Sequence, residues 1–198
     1  MIKFNNISSE KPFIIFKEKY DKAYQSGQKN IEAVSISTYN KESDIIDSRF
    51  VNIKFIENTD FIFFSNYNSP KSQAIRSHNQ ISALIYWPSI NVQIRMKATI
   101  ERTSVKYNEE YFKKRSFEKN ALAISSDQSS SIDSYEDVKK NYTHVLNSAD
   151  LRSCPNYWGG YKFSPYFFEF WEGHSSRLNK REAFEKEKND WKYFILQP

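Results

Sequence analysis

The chain predicts a mainly β fold: an antiparallel barrel with helices at its periphery. Three observations carry this. Segments with period-two alternation occupy both flanks of the chain, while helical spacing is concentrated at the N-terminus and in a central insert. Strands and helices do not alternate regularly, as a parallel βα sheet would require. No internal repeat or composition break marks a second domain, and 198 residues suit one domain with a real core. A single domain over 1–198 is expected, with a helical segment in 1–30 and a distinct C-terminal region, 155–198.

Residues 9–26 read as a helix. Ser8 or Ser9 can cap it, Phe13, Ile14, Phe16, Tyr20 and Tyr24 recur at helical spacing, and Gly27 is a stop signal. Ile31–Thr38 is a strand, Tyr39–Asp47 a polar turn, Ser48–Ile56 a second strand and Phe61–Ser65 a third. Ser69 and Pro70 open a helix to His78. Ile81–Trp87 is a strand stopped by Pro88. Asn91–Arg102 is the cleanest strand: Val92, Ile94, Met96, Ala98 and Ile100 take one face and Gln93, Arg95, Lys97, Thr99 and Glu101 the other. Tyr107–Phe117, Asn120–Ser125 and Tyr135–Leu146 are helical, with a serine-rich loop at Ser125–Ser134. Phe167–Trp171, Arg177–Phe184 and Trp191–Leu196 are the last strands.

Composition narrows the function. Aromatic residues make up 17% and charged residues 27%, and mean hydropathy is −0.74. Burial must therefore come from Phe, Tyr and Trp, and no run approaches the roughly 18 apolar residues of a membrane span. The N-terminal residues lack a signal-peptide core, and a cytoplasmic protein is expected. One cysteine, Cys154, excludes an internal disulfide; it reads as structural. Three scattered histidines give no metal set. The net charge of +5 is dispersed, which fits small phosphate-bearing ligands and gives no basic run for nucleic acid or a membrane surface. Nucleophile, dinucleotide and Walker motifs are absent.

The candidate sites are anion binders. Arg49 and Lys54 flank the second strand on opposite faces by parity, so one ligand reaches both only at a strand end or a bulge. Ser65 and Lys71 bracket a turn into a helix N-terminus. Tyr111 and Arg115 are i, i+4, and Gln128 and Ser129 sit in the serine loop. Pro155–Arg181 holds three of the four glycines and two of the four tryptophans, Trp158 and Trp171. In a strand, Arg177, Asn179 and Arg181 would share a face, placing two cations beside a flat aromatic surface.

These residues resemble a known pattern. Pro-Asn-Tyr-Trp-Gly-Gly-Tyr followed by Glu-Phe-Trp-Glu-Gly-x-x-x-Arg-Leu-Asn-Lys-Arg is close to the C-terminal signature of pyridoxamine 5′-phosphate oxidases. Arg-x-x-x-x-Lys, Phe-Ser-Asn-x-x-Ser-x-Lys, Gln-Ile-Arg, Tyr-Phe-x-x-Arg and Asp-Gln-Ser-Ser follow the family order from about residue 46 onward. The resemblance implies an FMN-binding split β-barrel, a homodimer with FMN at the interface, and oxidation of pyridoxamine or pyridoxine 5′-phosphate to pyridoxal 5′-phosphate by oxygen, giving hydrogen peroxide. It makes 155–198 a region of dimerisation and substrate contact.

Carried over by position, FMN contacts are Arg49, Phe50, Val51, Asn52, Ile53, Lys54, Phe64, Ser65, Lys71, Gln93, Gln128, Ser129, Trp171 and Arg181. Substrate contacts are Lys54, Tyr111, Arg115, Lys119, Arg177, Leu178 and Asn179, with Arg177 and Asn179 in the catalytic positions. The chain departs from the family where Arg-Leu-His-Asp-Arg becomes Arg177-Leu178-Asn179-Lys180-Arg181, where Arg-Lys becomes Pro70-Lys71, and where a serine becomes Lys119. The N-terminal Arg and Tyr of some members have no counterpart in residues 1–30. A flavin oxidase of the same fold acting on another substrate, as in phenazine pathways, and a flavin binder without oxidase activity are the alternatives.

Overall fold

The computed structural model describes residues 1–188 and 190–198. Its strands are β1 (Lys3–Asn5), β2 (Ala33–Asn40), β3 (Ile45–Asn52), β4 (Phe55–Glu57), β5 (Asp60–Asn66), β6 (Gln80–Trp87), β7 (Val92–Arg102), β8 (Trp158–Glu172), β9 (Lys180–Glu187) and β10 (Asp190–Ile195). Its helices are α1 (Lys11–Gln25), α2 (Pro70–Ser77), α3 (Val105–Lys114), α4 (Phe117–Ser125) and α5 (Tyr135–Ser148).

One sheet holds all ten strands in the order β1-β4-β5-β8-β7-β6-β2-β3, with β9 on β8 and β10 on β9. Pairing is antiparallel throughout except for β1 on β4. The long strand β8 splits the sheet. Trp158–Phe163 pair with β5, Phe167–Glu172 pair with β9, and β7 follows the opposite edge. The change of partner falls beside Pro165, which lacks an N–H to donate, and the β7 register shifts there, between Lys97 and Ala98.

The core is aromatic, as the composition requires. Phe13 and Phe16 of α1 are fully buried, and α1 closes the sheet like a plug. Phe13 meets Phe168 edge-on at 5.2 Å, and Phe16 meets Phe61 edge-on at 5.0 Å. Each such ring contributes about 1.5–3 kcal/mol by leaving water. The inward face of β7 is the one the alternation predicts, from Val92 to Ile100.

Several local expectations are corrected. The cap of α1 is Glu10, without a side-chain bond to the helix; Ser8 instead accepts a hydrogen bond from the Glu10 N–H. The turn after β2 is shorter than Tyr39–Asp47, because Tyr39 and Asn40 pair with Ile46 and Ile45. The expected strand Ser48–Ile56 breaks after Asn52. Ile53 N–H bonds Glu32 O and Lys54 N–H bonds Ile62 O, so the chain leaves one neighbour for another. The helix Tyr107–Phe117 ends at Lys114, and Phe117 begins the next one. Strand β8 starts at Trp158 rather than Phe167, since its glycines and proline hide a strand from propensity.

The largest correction concerns Arg177–Phe184, where the strand begins only at Lys180. Arg177 has φ +60°, and its N–H closes a turn on His174 O. Asn179 Oδ1 accepts from the His174 N–H at 3.0 Å. Arg177, Leu178 and Asn179 therefore lie in a capped loop, and the expected shared strand face of Arg177, Asn179 and Arg181 does not form.

Candidate functional site

A cleft of about 820 Å³ opens between β3, β5, the start of α2 and α3, the start of α4 and the serine loop. Arg49, Phe50, Val51, Asn52 and Lys54 line it, with Phe64, Ser65, Lys71, Tyr111, Arg115, Lys119, Gln128 and Ser129. The break after Asn52 answers the parity problem: Lys54 is no longer in register with Arg49, and both reach the same space. Ile53 does not line the cleft, because its side chain is fully buried in the core.

Two groups of cations divide this cleft. In the first, Lys71 is only 6% exposed. It has no carboxylate partner and donates to Ser65 Oγ at 2.8 Å and Ser69 Oγ at 3.1 Å. Burial, with repulsion from Arg49, pushes its pKa down to about 8. Arg49 is held by Thr38 Oγ1 at 2.7 Å and Asp47 at 2.6 Å. Gln128 Oε1 accepts from Ser65 Oγ and from the Asn66 N–H, which ties the serine loop to the strand end. Ser129 sits at φ +74° beside it.

The second group is Lys54, Arg115 and Lys119. Burial holds Lys54 below its ordinary pKa; Lys119 and Arg115 add to this, against the pull of Glu32. Arg115 lies 4.4 Å over the Trp158 ring and donates to Lys119 O. Its Nη1 is buried and has no hydrogen-bond partner. A buried guanidinium nitrogen without an acceptor is costly unless a ligand supplies one. Trp158, which the sequence reading left without a role, completes a stack: Phe64 lies 5.2 Å from Trp158 and 3.9 Å from Tyr111, all nearly parallel.

The two glycines of the Trp-Gly-Gly motif place α3 against this stack. A Cβ on Gly159 would lie 2.2 Å from Tyr67 Oη, and one on Gly160 2.5 Å from Thr103 Oγ1. The space they leave holds a buried network. Asn108 of α3 accepts from the Gly160 N–H at 2.8 Å and donates to Tyr67 Oη at 3.1 Å. Tyr111 follows Asn108 by one turn and Arg115 caps the same helix, so both are set by that contact. Nearby, Cys154 is half-buried, and burial pushes its thiol up to about 11, which suits a structural role.

The remaining expected residues stand elsewhere. Gln93, Trp171 and Arg181 face one another across β7, β8 and β9. Arg177, Leu178 and Asn179 sit in the loop between β8 and β9, with Leu178 exposed. Within one chain these six do not line the cleft. Behind the row lies a residue that the sequence reading missed. Glu169 is 2% exposed and binds both Arg95 and Arg181. Burial raises its pKa, but the two arginines outweigh that and hold it below the usual carboxylate range. Among the described residues no cluster of His, Cys, Asp and Glu has the makeup of a metal site, and no helix is long and apolar enough to cross a membrane.

This architecture is that of the FMN-binding split barrels. The chain superposes with TM-score 0.79 on an FMN-binding, pyridoxamine 5′-phosphate oxidase-related protein from Nostoc punctiforme, at 14% identity over 96% of this chain and all of that one. It superposes with TM-score 0.88 on PhzG from Burkholderia lata, solved with tetrahydrophenazine-1-carboxylic acid, at 25% identity over 96% of this chain and 93% of that one. Residues 158–198 match the family model of the pyridoxine 5′-phosphate oxidase C-terminal dimerisation region. The pyridoxine/pyridoxamine 5′-phosphate oxidase of Colwellia psychrerythraea is 31% identical over 96% of this chain and 88% of its own length. The chain belongs to the pyridoxine/pyridoxamine 5′-phosphate oxidase family.

Proposed function

We propose that the chain is an FMN-dependent oxidase of pyridoxamine or pyridoxine 5′-phosphate, acting as a homodimer. The observation that carries this reading is the pair of cation groups in one cleft, each short of an anion. Lys71, Arg49, Ser65, Gln128 and Ser129 suit the FMN phosphate, because charged donors and hydroxyls converge there at a helix N-terminus. Lys54, Arg115 and Lys119, with Tyr111, suit a second phosphate, and the unpartnered Arg115 Nη1 is a donor left over for it.

A homodimer would account for the row that stands apart. A second protomer would bring its Gln93, Trp171 and Arg181 to the open side of the cleft, along with the loop bearing Arg177 and Asn179. The exposed apolar residues Ile45, Ile46 and Phe50 on edge strand β3, and Leu178 and Ile195, give that contact an apolar surface.

The chemistry supplied by bound FMN is acceptance of a hydride from the 4′ carbon of the substrate and passage of the electron pair to oxygen, giving hydrogen peroxide. The chain's own residues bind and orient. Lys54, Arg115 and Lys119 would hold the substrate phosphate, and Arg177 of a second protomer would lie over the substrate ring. Asn179 has no acid or base function, since its amide neither gains nor loses a proton at working pH. A phenazine-type carboxylate substrate is the second reading, favoured by the closeness to PhzG. Three cations around one subsite favour a phosphate dianion over a single carboxylate.

The test is the visible absorbance of the purified, FMN-loaded protein under anaerobic conditions. Bleaching on addition of pyridoxamine 5′-phosphate is the expected result, and Arg115→Gln should raise the substrate concentration needed for it. A band that persists would overturn the B6 reading. A protein that takes up no FMN would overturn the flavin reading as well.

A further inference from the structure

We propose that Glu169 is a positioning residue, fixing the direction in which Arg181 presents its guanidinium to a ligand; this rests on the reading that Arg181 contacts FMN. Glu169 stands on β8 with Arg95 opposite it on β7, one row behind Gln93, Trp171 and Arg181. Its Oε1 accepts from Arg181 Nε at 2.7 Å and lies 2.7 Å from Arg181 Nη2 as an ion pair. Its Oε2 accepts from Arg95 Nε at 2.9 Å and Nη2 at 2.5 Å. Three N–H donors and the Arg181 Nη2 charge thus converge on one buried carboxylate.

The remaining nitrogen of Arg181, Nη1, donates to Gln197 O at 2.8 Å, and the Leu196 N–H bonds Arg181 O at 2.9 Å. The guanidinium is therefore gripped at all three nitrogens. Of its five N–H groups, the one on Nε and one on Nη1 are taken by Glu169 and Gln197, which leaves N–H groups on both terminal nitrogens for a ligand.

Stability alone does not account for this arrangement. A packed apolar trio would join β7, β8 and β9 at least as well as a buried carboxylate between two arginines. What the carboxylate adds is direction: it freezes a long side chain before ligand arrives and spares that cost on binding. Arg95 has a separate part in this. With one arginine, Glu169 and Arg181 would cancel; with two, the group keeps one net positive charge.

A double-mutant cycle on FMN affinity tests the role. FMN dissociation constants would be measured by flavin fluorescence quenching for the wild type, Glu169→Gln, Arg181→Ala and the double variant. The circular dichroism of the bound flavin would be recorded alongside. Glu169→Gln should weaken FMN binding roughly three- to tenfold and change the flavin dichroism. In the Arg181→Ala background it should do neither. An equal loss in both backgrounds would show a purely structural residue and overturn the proposal. Unchanged affinity in Glu169→Gln, with Arg181→Ala clearly weakened, would overturn it too, while leaving the flavin reading in place. Unchanged affinity in Arg181→Ala would overturn the Arg181 contact itself and the positioning role with it. Should Glu169→Gln fail to fold, Glu169→Asp keeps the charge but retracts the carboxylate, and it carries the same cycle.

Discussion

The cleft and the arginine row handle positive charge in opposite ways. In the cleft, Lys71 is buried in one group, while in the other Lys54 and Arg115 are partly desolvated beside an exposed Lys119; Lys71 and Arg115 meet hydroxyls, a carbonyl and an aromatic face. In the row, Arg95 and Arg181 share a buried carboxylate. A cation left without a counter-ion is unstable where it stands and is relieved by an incoming anion. A cation with a fixed counter-ion gains little from an anion, but its direction is set. The comparison teaches that the first region suits affinity toward anions, as proposed, and the second suits orientation.

Replacing the most buried of the unpaired cations should break the comparison most visibly. Lys71→Met should weaken FMN binding by about 10- to 150-fold, since hydrogen bonds from a charged donor are worth about 1.5–3 kcal/mol. The ligand-free protein should become no less stable, because an uncompensated buried charge has been removed. A titration of FMN and a thermal melt of the ligand-free variant check both halves. A clear loss of stability would show Lys71 to be a structural residue.

Acidity sharpens the same point. The Lys71 pKa is lowered to about 8, so its ammonium deprotonates unusually early in the ligand-free fold. The unfolded chain holds that proton up to the ordinary lysine range. Between about 8 and that range the unfolded state binds more protons, and ligand-free stability should rise with pH. A bound phosphate would pull the Lys71 pKa back up. FMN affinity should therefore be flat between about pH 7 and 8, where the phosphate is already a dianion, and fall above it, by up to tenfold per pH unit. Affinity measured across that range checks this, and a flat profile would contradict it.

Packing beneath the cleft should give a smaller effect. Gly160→Ala places a methyl 2.5 Å from Thr103 Oγ1, which forces the Thr103 side chain to shift and disturbs its hydrogen bond to Asn108 of α3. Destabilisation of about 1–3 kcal/mol is expected from overpacking, read by denaturant unfolding, with a raised KM for the phosphorylated substrate because Tyr111 and Arg115 ride on α3. The smallest effect belongs to the loop. Asn179→Ala removes one exposed hydrogen bond to the His174 N–H and should cost about 0.5–1.5 kcal/mol at most. The pH dependence of turnover should keep its shape, because no titrating group is lost. A changed profile would assign Asn179 more than a loop cap.

Much of this was legible in the chain. The inward face of β7 was readable from strict alternation, since side-chain direction in a strand needs only a count of two. Arg49, Ser65, Lys71, Tyr111 and Arg115 could be read as anion binders, because each stands next to a helix start, a strand end or a helix face that sequence signals locate. The placement of Arg177 was misread for the same reason, as a local pattern was extended through a turn. The left-handed backbone at Arg177 is held by bonds within the loop, and no propensity announces them.

By itself, then, the order of residues determined the antiparallel class, the aromatic core and most of the polar side chains that line the cleft, all of which depend on short-range periodicity and on chemistry that travels with each residue. Only the tertiary structure decided that β8 divides between two partners, that Gly159 and Gly160 make room for Asn108, that Glu169 grips two arginines, and that the expected site residues fall into two separate groups. Those outcomes join residues far apart along the chain, through steric exclusion and buried charge pairing. Such contacts arise only once the strands have chosen their neighbours.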